Sequence, residues 1–352
     1  MKIGVVTFWG ANYGAILQCY ALQQVLKSLG HEVKTINKGW GKYSLPPTLK
    51  QKIKDMLFSD VFKQFKKKYI EFTPLIKNEK ELLELNNQFE AIIVGSDQIW
   101  NSDCIKDMGF YYYLDWVKSS VKKYAYAVSF GKDTFDTTQS NIADISILLN
   151  SYQKISVRED SGVEICQDTL NVNAIHLLDP TFLLSQEHYN RLIGDVKIGK
   201  LYICKYFLDS TECKDKLVDK IAAETHLAII DNYPSKINKY KGWISSKYRY
   251  PSIIEWLQNI RSADYVVTDS FHGMVFSLIY HKKFICINNK KRGSTRFQSL
   301  LGALDLSYRL VDVEEIDFVK NMNILQTSID YAIVDQKLAE QQKSSLRFLE
   351  TL

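Results

Sequence analysis

The sequence predicts an α/β protein of two Rossmann-like domains facing a cleft, and three observations predict it. Short apolar runs recur along the chain, each opening into a small polar turn and then an amphipathic stretch. That is the rhythm of strand, crossover helix and parallel strand. The series pauses after Pro180 and starts again at Leu201. A chain of 352 residues also exceeds one ordinary core and suits two. The expected division is residues 1–185 and 186–352, with a C-terminal helix that can pack back on the first domain.

Composition sets the class. Hydrophobic residues make up 46% and charged residues 24% of the chain, the balance of a globular protein with sizeable cores. No apolar run reaches the roughly 18 residues of a transmembrane helix. Met-Lys-Ile-Gly-Val-Val-Thr-Phe at the start lacks a signal-peptide layout and reads as a first strand, so a cytoplasmic protein is expected. The six cysteines (Cys19, Cys104, Cys166, Cys204, Cys213 and Cys286) are scattered, with no Cys-x-x-Cys. That argues against a zinc site and a disulfide framework. Several lie in apolar runs and read as small core side chains. The dispersed histidines form no compact ligand set, and no metal is expected.

The elements follow in order. Strand 2–8, helix 14–29, Gly30 as a C-cap and strand 32–37 make a βαβ opening. Residues 38–68 then carry nine lysines and two aspartates, a net +7 against +5 for the whole chain. Over 53–69 the apolar residues gather on one helical face, with Lys52, Lys63, Lys66 and Lys67 opposite. Such a helix can lie peripherally on an anionic membrane surface, and packing on the domain with a solvated lysine face accounts for it equally well. No nucleic-acid fold signature accompanies it.

A helix near 80–87 leads to Ala-Ile-Ile-Val, which opens into Gly95-Ser96-Asp97-Gln98. Strand 124–128 ends in Ser129-Phe130-Gly131, and strand 154–157 runs into Arg158. Strand ends of a parallel sheet line one crevice, so the three converge. After the break come strand 201–206, helix 214–224, strand 226–230 and helix 252–262. Strand 265–268, a helix from 271, strand 284–287, helix 295–304, strand 308–311 and one long helix over 324–349 complete the second series.

Within it, Thr268-Asp-Ser-Phe-His-Gly273 is a strand–turn–helix junction. Its turn presents free backbone N–H groups and the positive end of a helix dipole, suited to a phosphate or carboxylate. His272 could exchange a proton there near neutral pH. Capping by Thr268, Asp269 or Ser270, with His272 merely solvated, accounts for the same residues.

Five stretches taken together resemble the polysaccharide pyruvyl transferase family. They are Asn12-Tyr-Gly-Ala-Ile-Leu-Gln with Gly30-His-Glu-Val, Val94-Gly-Ser-Asp-Gln-Ile-Trp-Asn101, Ser156-Val-Arg-Glu159, Leu178-Asp-Pro-Thr181 and Thr268-Asp-Ser-Phe-His-Gly273. The resemblance implies a fold similar to the GT-B glycosyltransferases, with the acceptor on the N-terminal and the donor on the C-terminal domain. It implies transfer of the pyruvyl group of phosphoenolpyruvate to a sugar of a cell-surface glycan or its lipid-linked precursor. The product would be a ketal, formed with release of phosphate as in capsule or exopolysaccharide synthesis. Phosphoenolpyruvate is then a substrate, and no cofactor is expected.

Under that resemblance His272, Asp97 and Arg158 are the expected catalytic residues. Ser270, Gly273, Arg292 and Arg296 would hold the donor, and Asn12, Tyr13, Ser96, Gln98 and Ser129 would contact the acceptor. Many members carry Ser-Arg-Leu-His where this chain has Asp269-Ser270-Phe271-His272, so Ser270 replaces an arginine. Arg292 or Arg296 is the expected substitute. A nucleotide-sugar glycosyltransferase and a catalytically silent glycan-binding relative are the alternatives.

Overall fold

The computed structural model describes residues 1–10, 12–39, 60–194, 201–234, 249–315 and 317–352. The chain forms two compact units. The first takes in Met1–Lys52, Lys66–Leu183 and Glu340–Leu352, and the second Ile53–Phe65 and Leu184–Ala339.

The first unit carries β1 (Lys2–Val6), β2 (Glu32–Thr35), β3 (Ala91–Val94), β4 (Lys122–Val128), β5 (Lys154–Val157) and β6 (Ile175–His176). They form one parallel sheet in the order β2-β1-β3-β4-β5-β6. Helices cover both faces of such a sheet, so its strands read as continuous apolar runs, and the four residues of β3 are wholly buried. Strand order reverses between β1 and β3, which makes the carboxyl ends of those two strands the natural ligand position.

The second unit repeats the plan with β7 (Tyr202–Tyr206), β8 (Ala228–Asp231), β9 (Tyr265–Thr268), β10 (Lys283–Ile287) and β11 (Leu310–Val311). These run parallel in the order β11-β10-β9-β7-β8. Here the reversal falls between β7 and β9. The junction that follows β9 therefore lies at the second switch point.

Some expected elements change. The long helix over 324–349 is two helices, Phe318–Gln326 and Tyr331–Glu350. Thr327 turns to ψ 129° and ends the first. Asp330 starts the second, its carboxylate accepting the N–H groups of Ala332 and Ile333. The later part of that helix belongs to the first unit. Leu178 N–H donates to Ser345 Oγ (3.2 Å), and Gln342 Nε2 donates to Phe182 O (2.6 Å).

Of the basic amphipathic segment at 38–69, residues 40–59 lie outside the described ones. The described helix Asp60–Tyr69 differs from the expected pattern at Lys66. Its ammonium is not on a purely solvated face: it stands 5.0 Å from the Trp9 ring centre and donates to Trp9 O (3.4 Å). Five of the six cysteines are buried, and burial pushes the thiols of Cys19, Cys104 and Cys166 up to about 12.

Two backbone features aim the strand ends. Gly95 follows β3 at φ +140°, and a Cβ there would lie 1.9 Å from Tyr126 O. The pairing of β4 with β5 slips between Ala125 and Val128. At that irregularity Ala127 has φ 45°, and the Ser156 hydroxyl fills the ladder: it accepts Ala127 N–H (2.9 Å) and donates to Ala125 O (3.1 Å). Such a bulge redirects the chain that follows, here Ser129. The prediction is direct: Gly95→Ala costs about 3–5 kcal/mol, because strain at positive φ adds to overpacking against fixed backbone. Urea unfolding of the variant should show a lower midpoint at unchanged slope.

Candidate functional site

Each unit gathers polar side chains at its switch point. In the first, Gln18 is the tie between β1 and β3. It is fully buried, and its Nε2 donates to Phe8 O and Ala15 O (2.8 Å each), while Oε1 accepts Ser96 N–H (3.1 Å). Asn12 caps helix Tyr13–Ser28 by accepting Ala15 N–H at 3.2 Å. Tyr13 itself is wholly buried, so its ring belongs to the core and not to a ligand surface.

Ser96 and Ser129 are also fully buried. The Ser96 hydroxyl donates to Asp179 (3.3 Å), and the Ser129 hydroxyl to Glu159 (3.0 Å). The same Glu159 oxygen accepts the N–H groups of Phe130 (2.8 Å) and Gly131 (3.0 Å). Glu159 thus fixes the loop after β4, and that loop fixes Asp97, whose carbonyl accepts Ser129 N–H at 3.0 Å. Gln98 is held against Gly131, where a Cβ would come within 2.0 Å of its amide nitrogen.

Arg158 is the cation of this crevice. Its Nη1 donates to Asp179 (2.5 Å) and Ser96 O (3.0 Å), and Nη2 stands 3.6 Å from Asp97. Burial works against its charge, but Asp179, Asp97 and Glu159 outweigh burial and raise its pKa. The Arg158 and Asp179 side chains are 1% and 0% exposed, whereas Asp97 keeps 13%. Asp97 is therefore the member of this trio that can touch a ligand, with Arg158 behind it.

In the second unit Asp269 is the hub. Its buried carboxylate accepts the N–H groups of Leu208 (2.6 Å) and Asp209 (3.2 Å), the Lys214 ammonium (2.7 Å) and the Asn289 amide (3.3 Å). This locks the loop after β7 to the end of β9. Ser270 is the N-cap of helix Phe271–Ile279, accepting Gly273 N–H at 3.4 Å. Gly273 is required by packing, since a Cβ would fall 2.3 Å from Thr268 Oγ1.

His272 follows in the first turn, 6% exposed, its ring edge-on to Phe271 at 5.3 Å. The Arg296 guanidinium lies over the same Phe271 ring, 5.4 Å from its centre, and donates to Arg292 O. Arg292 grips Asp209 with two nitrogens, at 2.6 and 3.2 Å. That pairing holds the Asp209 carboxyl below its ordinary range.

The structure thus groups Ser96, Asp97, Gln98, Ser129 and Arg158 in one unit, and Ser270, His272, Gly273, Arg292 and Arg296 in the other. Sequence reasoning missed Gln18, Glu159, Asp179, Asp209, Lys214 and Asp269 as positioning residues. Several stand inside or beside the very motifs that drew attention, which was the signal available.

The family model for polysaccharide pyruvyl transferase matches residues 12–291. No curated protein matches the chain. Solved structures share the fold. A glycosyltransferase from Rickettsia africae is similar with a TM-score of 0.52 at 12% identity, covering 99% of this chain and 96% of that one. A UDP-GlcNAc 2-epimerase from Methanocaldococcus jannaschii, in complex with UDP-GlcNAc and UDP, gives 0.51 at 11% identity over 93% and 94%. A spinosyn rhamnosyltransferase complexed with spinosyn aglycone gives 0.51 at 10% identity over 100% and 99%. At these identities the likeness carries the fold alone, a GT-B-like pair of parallel α/β units.

Two stability predictions follow from the hub. Asp269→Ala strands the buried Lys214 ammonium and should cost about 3–5 kcal/mol, while adding Lys214→Met should restore only the part owed to the lysine, because two loop N–H groups and the Asn289 amide stay without this acceptor. Denaturant midpoints of the single and double variants check this. The Asp209–Arg292 pair predicts a pH effect. Asp209 is depressed when folded, so its contribution is present above the unfolded value near 3.9 and is lost as pH falls through the folded one. The stability gap between the protein and Asp209→Asn should be full near neutral pH and shrink as pH falls below the ordinary carboxylate range.

Proposed function

This chain belongs to the polysaccharide pyruvyl transferase family, and on that premise we propose that it transfers the pyruvyl group of phosphoenolpyruvate to a sugar, forming a ketal and releasing phosphate. The acceptor is a cell-surface glycan unit or its lipid-linked precursor. The observation that carries the reading is the β9 junction, where a histidine in the first turn of a buried helix and the Arg296 guanidinium both contact the Phe271 ring.

The chemistry fixes what the residues must do. A proton adds to the methylene carbon of the donor, and positive charge develops on the carbon bearing phosphate. One sugar hydroxyl bonds to that carbon and loses its proton. The carbon–phosphate oxygen bond then breaks, phosphate leaves, and a second hydroxyl closes the ketal and gives up its own proton. The site must therefore bind an anion and move protons.

In this proposal His272 gives the proton and Arg296 binds the donor anion with the N–H groups after Ser270. Arg296 is the better replacement for the missing family arginine, because Arg292 is already held by Asp209 through two bonds. Asp97 accepts a proton from, or orients, the acceptor hydroxyl. Arg158, paired with Asp179 at 2.5 Å, acts by positioning Asp97. Gln98 and Asn12 are the further acceptor contacts.

A nucleotide-sugar transfer reading shares the same fold, so the donor decides between them. Calorimetry on the full chain should show binding of phosphoenolpyruvate and none of UDP-sugars. The reverse result would replace the proposal. With phosphoenolpyruvate and a suitable acceptor, His272→Ala should lower phosphate release by roughly 10²–10⁴-fold, the usual weight of a general acid. Arg296→Met should chiefly raise the donor KM. Unchanged phosphate release in His272→Ala would remove the histidine from the mechanism.

A further inference from the structure

The first unit holds a cavity whose lining includes neither Arg158 nor Asp179 and which the proposed reaction leaves unassigned. It has a volume of about 450 Å³, within the roughly 300–1,000 Å³ of small-ligand clefts. Lys38, just beyond β2, stands at one wall, and the segment 105–116 forms the other. Tyr111 and Trp116 stack there, 5.9 Å apart and 14° from parallel, and the indole N–H is tied back to Tyr111 O at 3.3 Å. The Lys38 ammonium lies 4.8 Å from the Tyr111 ring centre, and burial lowers its pKa.

The lining is charged but balanced. Lys38, Lys77 and Lys106 face Glu79, Asp107 and Asp115, three cations against three carboxylates. A site for a phosphate or another anion would not be built that way, nor would one for a cation. Balanced donors and acceptors around stacked rings and an apolar floor of Ile76, Leu82 and Met108 suit a neutral ligand. That ligand should have an apolar face and a rim of hydroxyls. A saccharide ring has both: its axial C–H groups pack on aromatic faces, and its hydroxyls bond to lysine and carboxylate.

Packed aromatic rings link the wall of the cavity to the end of β1. Tyr112 touches Tyr111 at 5.1 Å on one side and Phe8, just past β1, at 5.5 Å on the other. We propose that this aromatic cavity is a subsite for a neutral sugar ring. Its assignment to the acceptor, as a ring neighbouring the one that is modified, rests on the pyruvyl-transfer reading above.

The test is saturation-transfer NMR on the full chain without phosphoenolpyruvate. The probes are glucose, galactose, N-acetylglucosamine, lactose and maltose. Transfer onto ring C–H protons of at least one probe is expected. Trp116→Leu and Lys38→Met should each reduce it about fivefold or more, the scale of a lost aromatic contact. Trp116 is buried, so circular dichroism must report an intact fold, and the exposed pair Lys106→Ala with Asp107→Leu provides a second reduction free of that concern. Lys343→Ala, on the C-terminal helix, should leave the signal unchanged. Absence of transfer from every probe, or a signal that survives both Lys38→Met and the Lys106–Asp107 double variant, overturns the subsite. Because no donor is present, failure of the phosphate-release assay would count against the pyruvyl-transfer reading and leave this result standing.

Discussion

A parallel sheet delivers the carboxyl ends of all its strands to one edge, and the backbone there must find partners outside the ladder. In this protein buried carboxylates meet that requirement. Glu159 takes three donors after β4, Asp179 takes Arg158, Ser96 and Thr181, and Asp269 takes two loop N–H groups, a lysine and an amide. Each is 0–1% exposed. A buried carboxylate without such partners would be strongly unfavourable, so the loops cannot relax without stranding charge. The geometry of Asp97 and of the His272 turn is set by this arrangement.

That constraint also separates what the sequence reveals from what it hides. Alternating apolar runs and polar turns made the two parallel-sheet units legible, and the ordered motifs made the family legible. Helix 324–349 was misread as one because Thr327 and Asp330 interrupt a pattern that stays amphipathic on both sides. A strand-end serine such as Ser96 or Ser129 and a loop tyrosine such as Tyr13 look the same in sequence whether they point outward or into the core, and here all three are buried. Gln18 and Asp269 were not legible as hubs because their partners lie up to 78 residues away, and residue type does not encode such distances. Residues 40–59, which carry much of the basic stretch, fall outside the described residues.

The departure at Ser270 has a physical reading in the second unit. A serine there serves as a helix cap, a role an arginine cannot fill, and the guanidinium over Phe271 belongs to Arg296 on the helix that begins at Thr295. Cation and histidine are then carried on two separate elements. Their spacing depends on the aromatic contact between Phe271 and Phe297 (6.0 Å).

The return of residues 340–352 to the first unit bears on how the protein is made. The contacts that close this unit span up to 197 residues, from Lys154 to Thr351. On the ribosome the N-terminal sheet emerges long before the segment that completes it. Non-local closure of this kind is slow and leaves apolar surface uncovered while it waits. The first unit is thus completed by residues 340–352 and not by its first half alone, and the order of synthesis differs from the order in which the two units can become complete.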